Sequence, residues 1–435
     1  MSEPRTVDIV RLGAQGDGLA ETVEGPIYLP YALPGERWSV AAGAPAKRLS
    51  DSRERQPALC RHFGRCGGCI AQHMSAGLYR EWKQGLVAQA FAHRGIDAPL
   101  GPIHMVAPHS RRRAFFGIAR KGSHVVLGFR QEGQHTLVEL TECPVLDPMI
   151  VSMFDRMREM AMIALPENGS GRLLVTRFDN GLDVAFEGGR IRLTTDVRAA
   201  LARMAEDTPL VRLSVDGDVI VMHGNPALGS GSVTIAPPPG TFLQAVREAE
   251  SIMIDLILGA VDKAKHVADL FCGIGTFTFP LARSAHVLAV DNDRRAIETL
   301  LAAAKSAYGI KPVEARVRDL FREPLSRKEL EPFDAVLFDP PRAGAKAQAE
   351  MLAKSGVPVV LGVSCNPATL SRDARTLIDG GYRLEKVTPI DQFLFSPHVE
   401  VVAVFRRRTT APTGAARRNP ARPGSRAHGW PQRKS

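Results

Sequence analysis

Val267-Ala268-Asp269-Leu270-Phe271-Cys272-Gly273-Ile274-Gly275-Thr276 is a short apolar run that ends in a glycine-rich turn. Such a run reads as a buried strand, and the two glycines let backbone come close to a ligand. Outward from it the chain alternates strand and helix patterns. Val287-Leu288-Ala289-Val290 comes next, then Ala315-Arg316-Val317-Arg318-Asp319, then Ala335-Val336-Leu337-Phe338-Asp339, then Val357-Pro358-Val359-Val360-Leu361-Gly362-Val363-Ser364. Strands alternating with helices specify an α/β fold, a parallel, doubly wound, Rossmann-like sheet. Such sheets place their chemistry beyond the carboxyl ends of the strands.

Polar residues gather at those ends. Thr278 stands where a dinucleotide fingerprint has its third glycine, which disfavours a pyrophosphate. Asp291 follows the second strand, where an acid can hold ribose hydroxyls. Asp319 and Asp339 end the third and fourth strands; each acid alone reads more readily as a turn or cap residue, but a series does not. A glycine loop, a ribose acid and Asp339-Pro340-Pro341 together fit S-adenosylmethionine. Cys365 follows the last strand in Ser364-Cys365-Asn366-Pro367, 26 residues after Asp339 and 35 before Glu400. A thiol at a strand end, followed by a polar helix-breaking pair, is a candidate nucleophile, and inert core filling is its alternative. Glu400 is its candidate base. Cys272, beside tight glycines, reads as a small structural side chain.

At 435 residues the chain is expected to hold two or three domains. With no leading signal segment and no apolar run near about 18 residues, it is expected to be soluble, cytoplasmic, free of membranes and monomeric. Six cysteines in that setting point to metal ligands or catalytic thiols rather than disulfides. The net charge of +10 is mostly terminal: nine Lys and Arg and no acid lie from Arg406 onward, leaving 47 basic against 46 acidic residues elsewhere. Residues 409–435 read as a disordered basic arm able to touch phosphates, or equally as a solvated end.

Residues 1–56 carry the short strands and glycine turns of a small antiparallel β-barrel, a type that often binds oligonucleotides. Residues 57–240 form a central β-rich region with a cysteine segment and strands broken by turns from about 102 to 235. Its helix at about 78–95 is a candidate to pack on the catalytic domain, residues 241–408. Arg111-Arg112-Arg113-Ala114-Phe115-Phe116 combines cations with aromatics, a backbone- and base-contact surface or an edge strand with solubilising arginines.

Four motifs in register, Asp269–Ala282 (DLFCGIGTFTFPLA), Phe338–Gly344 (FDPPRAG), Ser364–Ala374 (SCNPATLSRDA) and Ser396–Glu400 (SPHVE), resemble the uracil-5-methyltransferase family acting on structured RNA. The N-terminal barrel is similar to a TRAM domain. The resemblance implies a class I methyltransferase domain and formation of 5-methyluridine. Cys365 would add to C6 of uracil and Glu400 would remove the C5 proton. It also implies cofactor contacts from Gln244, Phe271, Thr276, Asp291, Asp319 and Asp339, and extrusion of the target uridine from its stack.

Cys60, Cys66, Cys69 and Cys143 form a separate set, with three thiols around a Gly67-Gly68 turn. Their spacing accommodates zinc or an iron-sulfur cluster. Family members with this spacing hold a 4Fe-4S cluster, so the resemblance implies one here and points to the branch acting on 23S ribosomal RNA. Radical S-adenosylmethionine chemistry is disfavoured, because a fourth cysteine is present and the spacing is not the usual one. A transfer-RNA enzyme, a methyltransferase acting on an exocyclic base nitrogen and a noncatalytic ribosome-assembly factor are the alternatives.

Overall fold

The computed structural model describes residues 4–230 and 233–408; the basic arm expected at 409–435 lies outside the described residues. The strands read from the sequence belong to one eight-stranded sheet. Its order is Val313–Val317, His286–Asp291, His266–Leu270, Ala335–Phe338, Val359–Ser364, Glu400–Arg407, Tyr382–Asp391 and His104–Met105. The first five strands are parallel. Their side chains alternate between two cores: Ala268, Leu270, Val336 and Phe338 join Val87, Phe91 and Leu370 on one face. Val267, Leu337, Leu361 and Val363 join Met253, Ile257 and Leu281 on the other. This period-two division is why each strand reads as a nearly continuous apolar run.

The sheet departs from the all-parallel expectation at one strand. Glu400–Arg407 runs antiparallel to both of its neighbours. Only residues 392–399 connect it to Tyr382–Asp391, and a parallel return needs a crossover of roughly a dozen residues or more. The short link forces the reversal.

Upstream, the strands between Arg5 and Ser50 form two three-stranded antiparallel sheets around Val7, Ile9, Ala20, Leu29 and Ala32. A seven-stranded sheet follows, running in spatial order from Leu137–Glu139 to Asp218–Met222. Two helices in this region, Phe154–Ala164 and Thr195–Ala205, replace what the sequence suggested was only strand and turn. Met157, Met160, Ala161 and Ala164 recur at helical spacing and are buried against the sheet, and Thr194 caps the second helix. Those are helix signals. No helix among the described residues is long and apolar enough to cross a membrane.

The helix Ala76–Ala92, capped by Ser75, lies against the eight-stranded sheet, with Val87 and Phe91 in its core. A buried ion pair fastens it there. Lys83 Nζ is 2.6 Å from Asp391 Oδ1, both side chains are fully buried, and Tyr79 donates to the other Asp391 oxygen at 2.5 Å. Lys83 also donates to the carbonyls of His398 and Phe393. Removing one partner of such a pair strands a buried charge, at a cost of about 3–5 kcal/mol. Lys83→Met should therefore lower unfolding free energy by about that amount in urea denaturation, and Lys83→Met with Asp391→Leu should lose less than either single change.

Candidate active site

The carboxyl edge of the parallel strands opens on a cavity of about 570 Å³. Phe271 and Thr276 reach it from the loop after the first strand, Asp291 and Asp339 from the ends of two others, and Cys365 from the end of Val359–Ser364. Because Glu400–Arg407 is reversed, it begins where its neighbours end. Glu400, its first residue, enters the same cavity. Gln244 comes from the segment before the helix Arg247–Ala260.

Asp319 is not among the lining residues. It accepts the Phe321 amide at 3.0 Å and sits 3.6 Å from Arg322, so it shapes the turn from which Phe321 reaches the cavity. Its strand is the outermost of the sheet.

The glycine loop is held in a conformation that needs its glycines. Phe271, Gly273 and Gly275 have φ of 62°, 54° and 99°, in the region side chains avoid. A Cβ on Gly275 would stand 2.7 Å from the Phe279 ring. Asp291 locks the loop by accepting the Gly273 amide at 2.9 Å with one oxygen and the Asp293 amide at 2.9 Å with the other. Thr278, in place of a third glycine, donates to Asp269 at 2.6 Å.

A chain of amides joins the acids. Gln244 donates to Asp339 at 3.1 Å and accepts from Gln392 at 2.8 Å, while Gln392 also donates to Glu400 at 2.6 Å. Burial pushes Asp269 and Asp339 up to about 7. Burial and the nearby Asp339 push Glu400 up to about 8. Asp269 Oδ1 and Glu400 Oε1 are buried without a hydrogen-bond partner. None of these three acids is ion-paired among the described residues, although Arg111, Arg113 and Arg342 line the cavity.

Two of these acids bear on Cys365, which is half-buried at the start of the helix Pro367–Asp379 capped by Asn366. Burial, then Glu400 and Asp339, push its thiol up to about 11, against the opposing Arg342 guanidinium, which hydrogen-bonds it. The electrostatically favoured thiolate expected of a nucleophile is therefore not what this arrangement provides, because burial and two acids outweigh one cation. Arg342 donates in turn to His398 Nε2 at 3.0 Å. His398 is held neutral by burial and surrounding cations, its value pushed down to about 4.

The four upstream cysteines line a second cavity, of about 240 Å³. All are free thiols, and burial raises the value of each, Cys69 to about 12. They ring the cavity rather than converging: no group of three His, Cys, Asp or Glu among the described residues is arranged to hold a metal ion. Cys272 is buried with Ile274 and Phe279, as core filling requires.

An RNA methyltransferase of Brucella suis is 45% identical over 410 residues, spanning 93% of this chain and 99% of its own. The 23S rRNA (uracil(1939)-C(5))-methyltransferase RlmD of Halomonas elongata is 30% identical over 439 residues, spanning 94% and 90%. The profile of the tRNA (uracil-5-)-methyltransferase family matches residues 234–408. The chain belongs to the RNA uracil-5-methyltransferase family. Its fold matches that of the tRNA (uracil-54, C5)-methyltransferase of Pyrococcus abyssi, with a TM-score of 0.72, 23% identity and coverage of 92% of this chain and 99% of that one.

In this uracil-5-methyltransferase, several site residues carried no sequence signal strong enough to single them out. Gln392 lies in the short link before the reversed strand, with no motif around it. Arg342 follows Asp-Pro-Pro directly, and its position in that motif was the available clue.

The Glu400 shift makes stability depend on pH. Between the ordinary value of 4.5 and about 8, folded Glu400 keeps a proton that the unfolded chain has released, so stability falls as pH rises through this window. Thermal unfolding of the cofactor-free protein should show Glu400→Gln gaining on the natural chain from pH 5 to pH 8 and levelling off above. A gap independent of pH would contradict the shift.

Proposed function

We propose that this protein methylates C5 of a uridine in 23S ribosomal RNA, using S-adenosylmethionine, with Cys365 as nucleophile and Glu400 as general base. The observation that carries this reading is the meeting of Cys365, Glu400, Asp339 and Gln244 in one cavity. Asp291, Asp339 and Glu400 offer partners to a positively charged cofactor, and the space where a Cβ on Gly273 would stand is open. Gln244, Phe271, Thr276, Asp291 and Asp339 would hold it, with Asp319 supporting the turn that presents Phe321. S-adenosylmethionine supplies the methyl group.

The chain's own residues do the rest. Cys365 releases its proton to solvent as the positive cofactor offsets Glu400 and Asp339, and the thiolate adds to C6 of the uracil, which makes C5 nucleophilic. Arg342, oriented by neutral His398, steadies the sulfur as charge develops. Glu400, oriented by Gln392, first gives its own proton to solvent as the positive cofactor offsets the nearby acid, and as a carboxylate takes the C5 proton once that carbon is substituted. Elimination then frees Cys365. The 23S target rests on the kinship with the Halomonas elongata enzyme and on the cysteine set. The N-terminal sheets, as an RNA-binding unit, and the central region, 57–240, would present the RNA.

Cys365→Ala should abolish turnover and form no covalent complex with RNA carrying 5-fluorouridine, measured by gel shift under denaturing conditions. Glu400→Gln should slow product formation by roughly 10²–10⁴ while the adduct accumulates. Retained turnover in Cys365→Ala would sink the covalent route. Mass mapping of 5-methyluridine in ribosomal and transfer RNA from cells lacking the protein identifies the substrate.

We read Cys60, Cys66, Cys69 and Cys143, which line one cavity, as ligands of a 4Fe-4S cluster, as the family resemblance implies. A single zinc held by four thiolates is the alternative. The cluster's part would be to brace the central region beside the active site. Protein purified without oxygen should be brown, with about four irons per chain; colourless protein with one zinc would refute the cluster.

A further inference from the structure

Arg111 lines both cavities, the one ringed by cysteines and the one holding Cys365. Its backbone is fixed on each side. The Arg111 amide donates to the Val145 carbonyl at 3.1 Å, and its carbonyl accepts the Asp147 amide at 2.9 Å, just beyond Cys143. A bridge to Val246 ties it to the segment that carries Gln244. Its Nε donates to the Arg113 carbonyl at 3.0 Å.

Arg112 pairs with Glu250 at 2.5 Å and Arg61 with Glu142 at 3.0 Å. Among the described residues neither Arg111 nor Arg113 forms an ion pair with a carboxylate. Arg111, unlike Arg113, shares a cavity wall with Cys60, Cys66, Cys69 and Cys143. Four thiolates carry more negative charge than a cluster core offsets, so a loaded centre is an anion in a largely apolar cavity and needs a counter-ion.

The same wall has a second component. Leu394 and Ser396 line the cysteine cavity, Phe393 and Glu400 line the catalytic one, and the Ile70 amide, next to Cys69, donates to the Phe395 carbonyl at 2.8 Å. The segment leading to the base is therefore shared between the two cavities.

We propose that Arg111 is the counter-ion of the four-thiolate centre and the positioning residue through which that centre fixes the wall of the catalytic cavity. This rests on the iron-sulfur reading above.

The test compares the full chain with Arg111→Gln and Arg111→Lys, all purified without oxygen, by iron content and by the one-electron midpoint potential from a dithionite titration followed in absorbance. Losing a nearby positive charge makes reduction harder. Arg111→Gln should keep its iron and move to a more negative potential by at least tenfold in the reduction equilibrium, 59 mV for one electron. Arg111→Lys should recover most of that shift. Loss of iron in Arg111→Gln but not in Arg111→Lys also supports the pairing, whereas loss in both overturns a role based on charge.

Iron-loaded Arg111→Gln with an unmoved potential overturns the inference while leaving the cluster intact. If its RNA affinity then falls and its salt slope drops by about one, Arg111 belongs to an RNA phosphate instead. Natural protein that is colourless and iron-free overturns the cluster reading, and this inference with it.

Discussion

The direction of one strand organises the catalytic end of this molecule. A parallel sheet offers only strand ends at its carboxyl edge, and every side chain delivered there arrives after the chain has crossed the sheet. Glu400–Arg407 enters from the opposite direction because the link before it is too short for a crossover. A strand start is thereby set among strand ends. Glu400 inherits the rigidity of a ladder paired on both sides, with Val401 opposite Ser364 and Glu400 itself opposite Ile390. A base held by sheet hydrogen bonds is positioned more firmly than one on a free loop.

Electrostatics then set the resting state. Burial, with Asp339 acting on Glu400 and both acids acting on Cys365, raises the proton affinity of these groups. A thiol held in its protonated form reacts less readily with electrophiles and oxidants.

Much of this was legible in the sequence, for a physical reason. Strand cores are apolar by necessity, so the polar residues that end them stand out, and Asp291, Asp339 and Cys365 were read that way, whereas Phe271 and Thr276 came only from the family resemblance. Asp319, at the end of the outermost strand, is not among the residues that line the cavity and shapes the turn from which Phe321 reaches it. Gln392 and Arg342 act through contacts with residues far off in the chain, which no local pattern encodes. The helices Phe154–Ala164 and Thr195–Ala205 were hidden among strongly β-like neighbours, although methionine spacing and a threonine cap marked them. The thiol's high proton affinity depends on how three separate segments crowd together, and only the fold reveals it.

The eight-stranded sheet also constrains how the chain is made. Its last-placed edge strand in space, His104–Met105, is among the first of its strands to be synthesised, and it pairs with Ile390 and Asp391 near the end of the described chain. Lys83 likewise waits for Asp391, and Trp82 and Tyr79 for Phe395. During synthesis the amino-terminal half therefore carries an unpaired edge and a buried-type lysine with no partner until the ribosome has nearly finished. Contacts so distant in sequence form slowly, and exposed edges invite mispairing. A chain cut short before Tyr382–Asp391 lacks the strand and acid that His104–Met105 and Lys83 engage.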